Sequence, residues 1–479
     1  MKKMLLVFCI ILVFCIILLY NLPLFAQEVD TDWVRRYSGH GQSHDAAYGL
    51  CLDRYGNACV TGTTATVKYA ANGDQLWVGQ FGGTDIAIDD SGNVYVTGLG
   101  GTAKYGASGN LLWTRPWSGA AAKKPADRWM PQATALALDN SGNICVTGMF
   151  YSGSSLDCVT IKYYPDGDTA WVTQTNAGNP VNGGFGIAVD DSGNVCVTGI
   201  TGHLNGYDYL TIKYYPDGET AWVRTFIPDI EPGFPYMDYG NGIAGDDSGN
   251  VYVAGTNATL KYDVSGNLLW VNKLNGHDMA LDGSGNIYVT GSGNNLDYVT
   301  IKYRLNGDSA WVKTYNGPGN DWDEAYSITL DSSDNVYVTG VSTGSGTGND
   351  FATIKYDSSG NLLWLVRFDG PAHGEDFATD IAIDTQGNVY VTGSSQDSTG
   401  YENYVTIKYL PSPFLRGDVS GDNKLTVSDV IYLINYLFKG GTKPDPLQSG
   451  DVNCDGKVNI ADAVFLVNYL FKGGPAPVC

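Results

Sequence analysis

Residues 331–340 read Asp-Ser-Ser-Asp-Asn-Val-Tyr-Val-Thr-Gly. A short polar turn runs into β-branched and aromatic residues and stops at Gly, which is the pattern of a hairpin turn feeding a short strand. The segment recurs with small changes, placing its Asn at Asn57, Asn93, Asn143, Asn194, Asn250, Asn286, Asn335 and Asn388. Eight copies at a mean step of about 47 residues make one supersecondary unit repeated, too short to be a domain and dependent on neighbours for burial.

Two more marks follow each copy. Lys-Tyr recurs at Lys68-Tyr69, Lys104-Tyr105, Lys162-Tyr163, Lys213-Tyr214, Lys261-Tyr262, Lys302-Tyr303, Lys355-Tyr356 and Lys408-Tyr409. Trp follows at Trp77, Trp113, Trp171, Trp222, Trp270, Trp311 and Trp364. Each unit reads as four short strands; in the seventh they are expected at 327–330, 335–339, 351–356 and 362–366. The eighth unit stops after Tyr409 without its Trp strand, while Asp32-Trp33-Val34 stands unpartnered near the start. A ring whose first strand completes the last sheet explains that offset; an open solenoid does not need it. The expectation is a mainly β chain with an eight-bladed β-propeller of four-stranded blades over residues 28–410, closed by its N-terminal strand. Seven blades is the alternative if one copy is incomplete.

Through D-x-x-G-N-V-Y-V-T-G and T-I-K-Y the repeats resemble the bacterial beta-propeller repeat called SBBP, over about four-fifths of the chain. The resemblance implies architecture more than activity, because propellers host enzymes, lectins and scaffolds.

The turn Asp recurs at Asp53, Asp89, Asp139, Asp190, Asp282, Asp331 and Asp384, with Asp246 or Asp247 in the fifth unit. Catalysis needs carboxylates that differ from one another, and these are alike, so they read as turn caps paired with the repeat Lys. Departures from the repeat are more informative. Inner strands begin with small residues (Gly49, Ala135, Gly186, Gly242, Ser327), but three place Asp85, Asp278 and Asp380 there. These are candidates for a channel cation or sugar-hydroxyl site, or else solvated channel-mouth carboxylates. Insertions at 117–131, 226–239 and 317–324 carry Trp117, Trp129, Phe234, Tyr236, Tyr239 and Trp322, candidates for stacking on a glycan or for packing their own loops. No catalytic residue is assigned: the five His are scattered and no metalloprotease, hydrolase-elbow or phosphate-loop motif occurs.

The net charge of −22 lies almost wholly in residues 28–414 and argues against nucleic acid, which requires a basic stripe. Lys2 and Lys3 precede an apolar run from Met4 to Tyr20 and a small residue at Ala26, the order of a secretory signal peptide over residues 1–27. Cleavage leaves no membrane insertion and a secreted or surface-associated chain; the run is also nearly long enough for a retained anchor. The mature chain keeps Cys51, Cys59, Cys145, Cys158, Cys196, Cys454 and Cys479, an odd number. Replacement of buried Tyr or Ala by Cys is the preferred reading of the first five.

After a linker at 411–416 the pattern changes. Residues 417–441 recur at 450–474, each copy a twelve-residue acidic loop opening a helix. Oxygens at loop positions 1, 3, 5, 7 and 12 wrap one Ca²⁺. The first loop offers Asp418, Ser420, Asp422, the Lys424 carbonyl and Asp429; the second Asp451, Asn453, Asp455, the Lys457 carbonyl and Asp462. Position 6, where the chain turns sharply, is Gly456 in one and Asn423 in the other. Both loops end in Asp rather than Glu, and neither follows an entering helix. In this the EF-hand-like, α-helical module over residues 417–479 resembles the type I dockerin. That resemblance implies two calcium ions, calcium-dependent folding and docking onto a cohesin domain of another protein.

The leading functional expectation is a secreted, non-enzymatic binding or scaffold protein whose propeller presents a glycan or protein ligand surface while the dockerin attaches it. The alternative is a dockerin-borne carbohydrate-active enzyme, a glycoside hydrolase or lyase.

Overall fold

The computed structural model describes residues 29–39, 44–117, 132–152, 155–203, 206–228, 238–293, 295–411, 417–421, 425–445, 447–453 and 456–472. The expected signal peptide, the 411–416 linker beyond Pro411, and Trp129, Phe234, Tyr236, Cys454 and Cys479 lie outside them. No helix among the described residues is long and apolar enough to cross a membrane. The chain divides into two compact units, one holding 30–360 and 366–411, the other holding the C-terminal 412–479 together with 361–365 and the first 29 residues.

The larger unit is strand throughout. Six four-stranded sheets and one eight-stranded sheet account for its described strands, and the eight-stranded one is two four-stranded meanders (132–175 and 181–226) bridged only at Leu156/Val181. Each repeat contributes an antiparallel meander in chain order; the last sheet is completed by Val29–Tyr37, which lies beside Glu402–Pro411. Trp33 thus stands where the eighth repeat lacks its own Trp. Strands in the seventh repeat run Asp323–Leu330, Val336–Thr343, Asn349–Tyr356 and Leu362–Phe368. They exceed the expected lengths because Gly340, read as a stop, stays in register opposite Ala352 and pairing continues beyond it.

The repeated marks turn out to be ties within and between repeats. In every turn the Asp Oδ1 accepts two backbone amides and the Asn four residues on donates to the same carboxylate, as at Asp139 (Ser141 N 2.9 Å, Asn143 N 2.8 Å, Asn143 Nδ2 2.7 Å). The turn needs a left-handed residue, usually Gly; in the seventh repeat Asp334 supplies it at φ 59°. Burial works against ionisation of Asp139, but its bonds from Lys162 and Asn143 outweigh that and hold it below the ordinary carboxylate range.

The residue after the first strand position decides how Lys reaches this carboxylate. With Tyr there, the phenol takes the Asp (Tyr95–Asp89 2.9 Å, Tyr337–Asp331 3.0 Å) and the ammonium sits over the ring, 4.6 Å from the Tyr337 centroid in the seventh repeat. With Cys there, as at Cys59, Cys145 and Cys196, Lys drops onto the Asp directly: Lys68–Asp53 2.9 Å, Lys162–Asp139 2.8 Å, Lys213–Asp190 3.2 Å. These Cys are buried free thiols, Cys145 and Cys196 pushed up to about 12 by burial.

The Trp indoles reach the next repeat: Nε1 of Trp33, Trp77, Trp113, Trp171, Trp222, Trp270 and Trp311 donates to the carbonyls of Ala71, Ala107, Pro165, Pro216, Val264, Leu305 and Ser358 at 3.0–3.2 Å. Inner strands approach closely. A Cβ at Gly186 would lie 2.2 Å from the Asn241 carbonyl, so this position, which lies inside strand Val181–Val189 rather than at its expected start, stays small.

In the C-terminal unit, α1 (Val427–Lys439) and α2 (Ile460–Lys472) pack through Val419, Leu425, Val430, Leu433, Val452, Ala463, Leu466 and Tyr469. Thr426 caps α1 in a capping box with Asp429, and Gly440 ends it in the left-handed conformation.

Candidate functional site

Six inner strands carry a register shift whose extra residue is Tyr48, Thr134, Phe185, Asn241, Tyr326 or Thr379. Thr84 and His277 occupy the same place in the second and sixth repeats, just before Asp85 and Asp278. A bulge re-aims a side chain without ending the strand. Where the residue is Thr, the hydroxyl clasps a neighbouring inner strand: Thr84 to Ala133 O (3.1 Å), Thr134 to Gly184 O (2.6 Å), Thr379 to Ala47 O (2.9 Å).

Thr stands there in three repeats; Tyr48 and Phe185 take the place in the first and fourth, and repeats five to seven depart in another way. Asn241, His277 and Tyr326 replace the clasp with a polar network around Glu324 of strand Asp323–Leu330. Glu324 Oε1 lies 2.5 Å from His277 Nε2 and 3.4 Å from Ser292 Oγ, and Oε2 accepts the Tyr326 hydroxyl at 3.1 Å. His277 Nδ1 lies 3.4 Å from Asn241 Nδ2. The network assigns the proton to Nε2 facing Glu324, with Nδ1 accepting from Asn241. Burial works against a charged Glu324, yet the His277, Tyr326 and Ser292 bonds hold it below its ordinary range; the Tyr326 phenol is driven up by burial and by that charge. The His277 and Tyr326 rings meet edge to face at 5.6 Å, and Tyr239, whose phenol is driven up by burial and by the Glu324 charge, packs on Phe185 at 5.7 Å; Trp322, two residues before Glu324, packs on Phe377 at 6.3 Å. A fixed carboxylate, an oriented imidazole and ring faces can receive hydroxyls and stack apolar ligand surface.

Of the expected propeller residues, Trp322 and Tyr239 fall in this sector. Trp117 does not offer a ligand surface: it is 8% exposed, packs in the core of the third repeat and donates to Met149 O at 3.0 Å. Asp85, Asp278 and Asp380 are half-buried and engaged by backbone amides rather than solvated. Each binds the amide of its own next residue and one from a neighbouring inner strand: Leu136 N–Asp85 2.7 Å, Ile328 N–Asp278 3.0 Å, Leu50 N–Asp380 2.7 Å. Ser327 Oγ joins Asp278 (3.3 Å) and Asp380 (3.0 Å). Glu324 and His277 were missed because neither belongs to a short motif; the signal was the polar, titratable residue at the bulge position of the sixth repeat, where the second, third and eighth carry Thr.

In the C-terminal unit the two loops match. Asp429 and Asp462 are fully buried, and each folds back on its loop: Ser420 N–Asp429 Oδ1 3.1 Å and Asn453 N–Asp462 Oδ1 3.0 Å. Asp418 accepts Gly421 N at 2.7 Å and Asp451 accepts Gly456 N at 3.0 Å. Fully buried carboxylates drawn back onto acidic loops fit a hard cation, which would neutralise them. Asp422, Lys424 and Asp455 lie outside the described residues.

The model of the dockerin type I domain matches residues 416–471, and that of the beta-propeller repeat matches 272–298 and 370–400. A 63-residue stretch is 40% identical to an uncharacterized WD repeat-containing protein of Acanthamoeba polyphaga mimivirus, 12% of this chain and 4% of that protein, so only a small part of that relative is spanned. Among solved structures, Sqt1 from Chaetomium thermophilum covers 80% of this chain and 100% of its own at 7% identity and TM-score 0.52, a likeness of fold alone. A Bacteroides caccae protein of unknown function is 14% identical over 59% of this chain and 92% of its own, at TM-score 0.34. Type I dockerins bind calcium and cohesin-bearing partners and are typical of extracellular or cell-surface proteins. The chain thus carries beta-propeller repeats and a C-terminal type I dockerin domain.

Proposed function

We propose that the chain is a secreted, non-enzymatic binding protein: an eight-bladed closed propeller takes a glycan at the Glu324 sector, and a dockerin holding two calcium ions attaches it to a cohesin-bearing partner. The observation that carries the glycan reading is the His277–Glu324–Tyr326 network, a carboxylate, an imidazole and a phenol joined at the bulge positions where the second, third and eighth repeats keep a Thr clasp. The closed ring is supported by the seat of Val29–Tyr37 in the last sheet and by the Leu50–Asp380 bond between first and last inner strands. Two ions are supported by the matching loops, with Asp418, Ser420, Asp422, Lys424 and Asp429 as one ligand set and Asp451, Asn453, Asp455, Lys457 and Asp462 as the other. Exposed Val427, Ile431 and Phe438 on α1, repeated as Ile460, Val464 and Phe471 on α2, suit a protein partner.

A glycan array probed with the full chain tests the reading. Binding that is lost in Glu324→Gln and His277→Ala supports it; no binding, or binding untouched by both, overturns it. The alternative of a hydrolase or lyase rests on the same oriented Glu324–His277 pair, and product analysis on any bound glycan separates the two.

A further inference from the structure

The seventh and eighth repeats meet around three aspartates. Asp350 lies on strand Asn349–Tyr356, Asp369 follows strand Leu362–Phe368, and Asp376 opens strand Asp376–Ile383. One ligand oxygen from each lies within 4.8 Å of the others. Asp376 is fully buried and Asp350 is 3% exposed. In all three the Oδ1 atom is buried and has no hydrogen-bond partner.

The surrounding donors are spent on the other oxygens. Asp350 Oδ2 takes Arg367 Nη2 at 2.7 Å and Thr347 Oγ1 at 2.9 Å. Asp369 Oδ2 faces His373 Nδ1 at 2.5 Å, and Asp376 Oδ2 accepts Gly370 N at 2.6 Å. Arg36 is directed to Ser395 Oγ at 3.0 Å, and Ser395 in turn bears on Asp376. The fixed cations are therefore present but do not reach the orphaned oxygens.

The internal repeat shows how the same corner is satisfied without a ligand. Asp157 stands in the third repeat where Asp350 stands in the seventh, and Asn176 follows Trp171 by the interval at which Asp369 follows Trp364. Asn176 Nδ2 donates to Asp157 Oδ1 at 3.0 Å and Gln174 Nε2 to Oδ2 at 2.6 Å. The sixth repeat also keeps an amide, Asn316. In the seventh a carboxylate has replaced the donor, so three acceptors converge with nothing to accept from. A buried polar atom left unpaired is costly, and more so when it is charged. Burial pushes Asp376 up, and the charge of Asp350 adds to the push against the Ser395, Gly370 and Arg36 contributions.

We propose that Asp350, Asp369 and Asp376 bind a hard divalent cation of the calcium class, which ties the outer strands of the seventh repeat to the inner strand of the eighth and is separate from the dockerin loops. All-carboxylate oxygen ligation selects this class over zinc or copper.

Equilibrium dialysis of the full chain against millimolar calcium, with the bound metal counted, tests it. Wild type is expected to hold one ion per chain more than Asp369→Asn, which restores the amide found at Asn176 and Asn316, and one more than Asp350→Asn. The dockerin contribution is common to all three and cancels. Equal counts in wild type and a folded variant overturn the proposal. Crystals of the unaltered chain soaked in manganese give a readout independent of variant folding: an anomalous peak between the three carboxylates supports the site, and its absence overturns it.

Discussion

Asp380 accepts the backbone amide of Leu50 at 2.7 Å, joining the inner strand of the eighth repeat to that of the first across 330 residues. The bond is one of three of its kind, and it is the one that no chain neighbour could supply. Asp380→Ala leaves the Leu50 amide without its acceptor and is expected to destabilise the larger unit by about 1–3 kcal/mol. Urea unfolding followed by Trp fluorescence reads this as a lowered midpoint; an unchanged midpoint would mean that the bond contributes nothing.

The same carboxylates set a pH dependence. Burial pushes Asp85 up to about 6 and Asp380 up to about 7 against the opposing amide bonds, whereas an unfolded Asp titrates near about 4. Between those values the folded chain holds protons that the unfolded chain has released. Their stabilising contribution is therefore complete below about pH 4 and is lost as pH rises through 6 and 7. The unfolding temperature of Asp85→Asn/Asp380→Asn, relative to wild type, should rise steadily across that window. A flat difference would contradict the assignment.

Removing one partner of a buried ion pair strands the other. Lys162 and Asp139 are 2.8 Å apart with both side chains 6% exposed. Asp139→Ala, which also deletes the turn bonds, is expected to cost about 3–5 kcal/mol, and Lys162→Met less, because it leaves Asp139 its amide donors. Denaturant midpoints that rank the two in the opposite order would show that the pair, rather than the turn, dominates.

Calcium removal should unfold the helices of the C-terminal unit if they depend on the loops. A chelator is expected to abolish the circular-dichroism signal of α1 and α2, thirteen residues each, while leaving the strand signal in place. Asp429→Ala should reproduce part of that loss without chelator. Helix content insensitive to both would separate folding from the metal.

Periodicity made most of the fold legible. The place of Trp33 followed from a missing Trp at the other end, because a repeat specifies where its absent member must be. Strand ends were read short because Gly340, a plausible stop by type, sits within an extended ladder that tertiary pairing prolongs. The acidic loops of the C-terminal unit were legible because the residues proposed as ligands are close in sequence. Glu324 and His277 were not, since their 47-residue separation becomes a 2.5 Å contact only through the stacking of repeats. Trp117 misled because an aromatic beside an insertion looks the same in sequence whether it faces solvent or the core.

The pairing of Val29–Tyr37 with Glu402–Pro411 has a consequence for biogenesis. A ribosome releases the first of these strands long before the second, so the early segment must wait while every intervening module is translated. Loop-closure entropy makes such a long-range meeting slow. Truncation near residue 400 would therefore orphan material at both extremities of the polypeptide, leaving an unpaired edge exposed to proteases and to self-association.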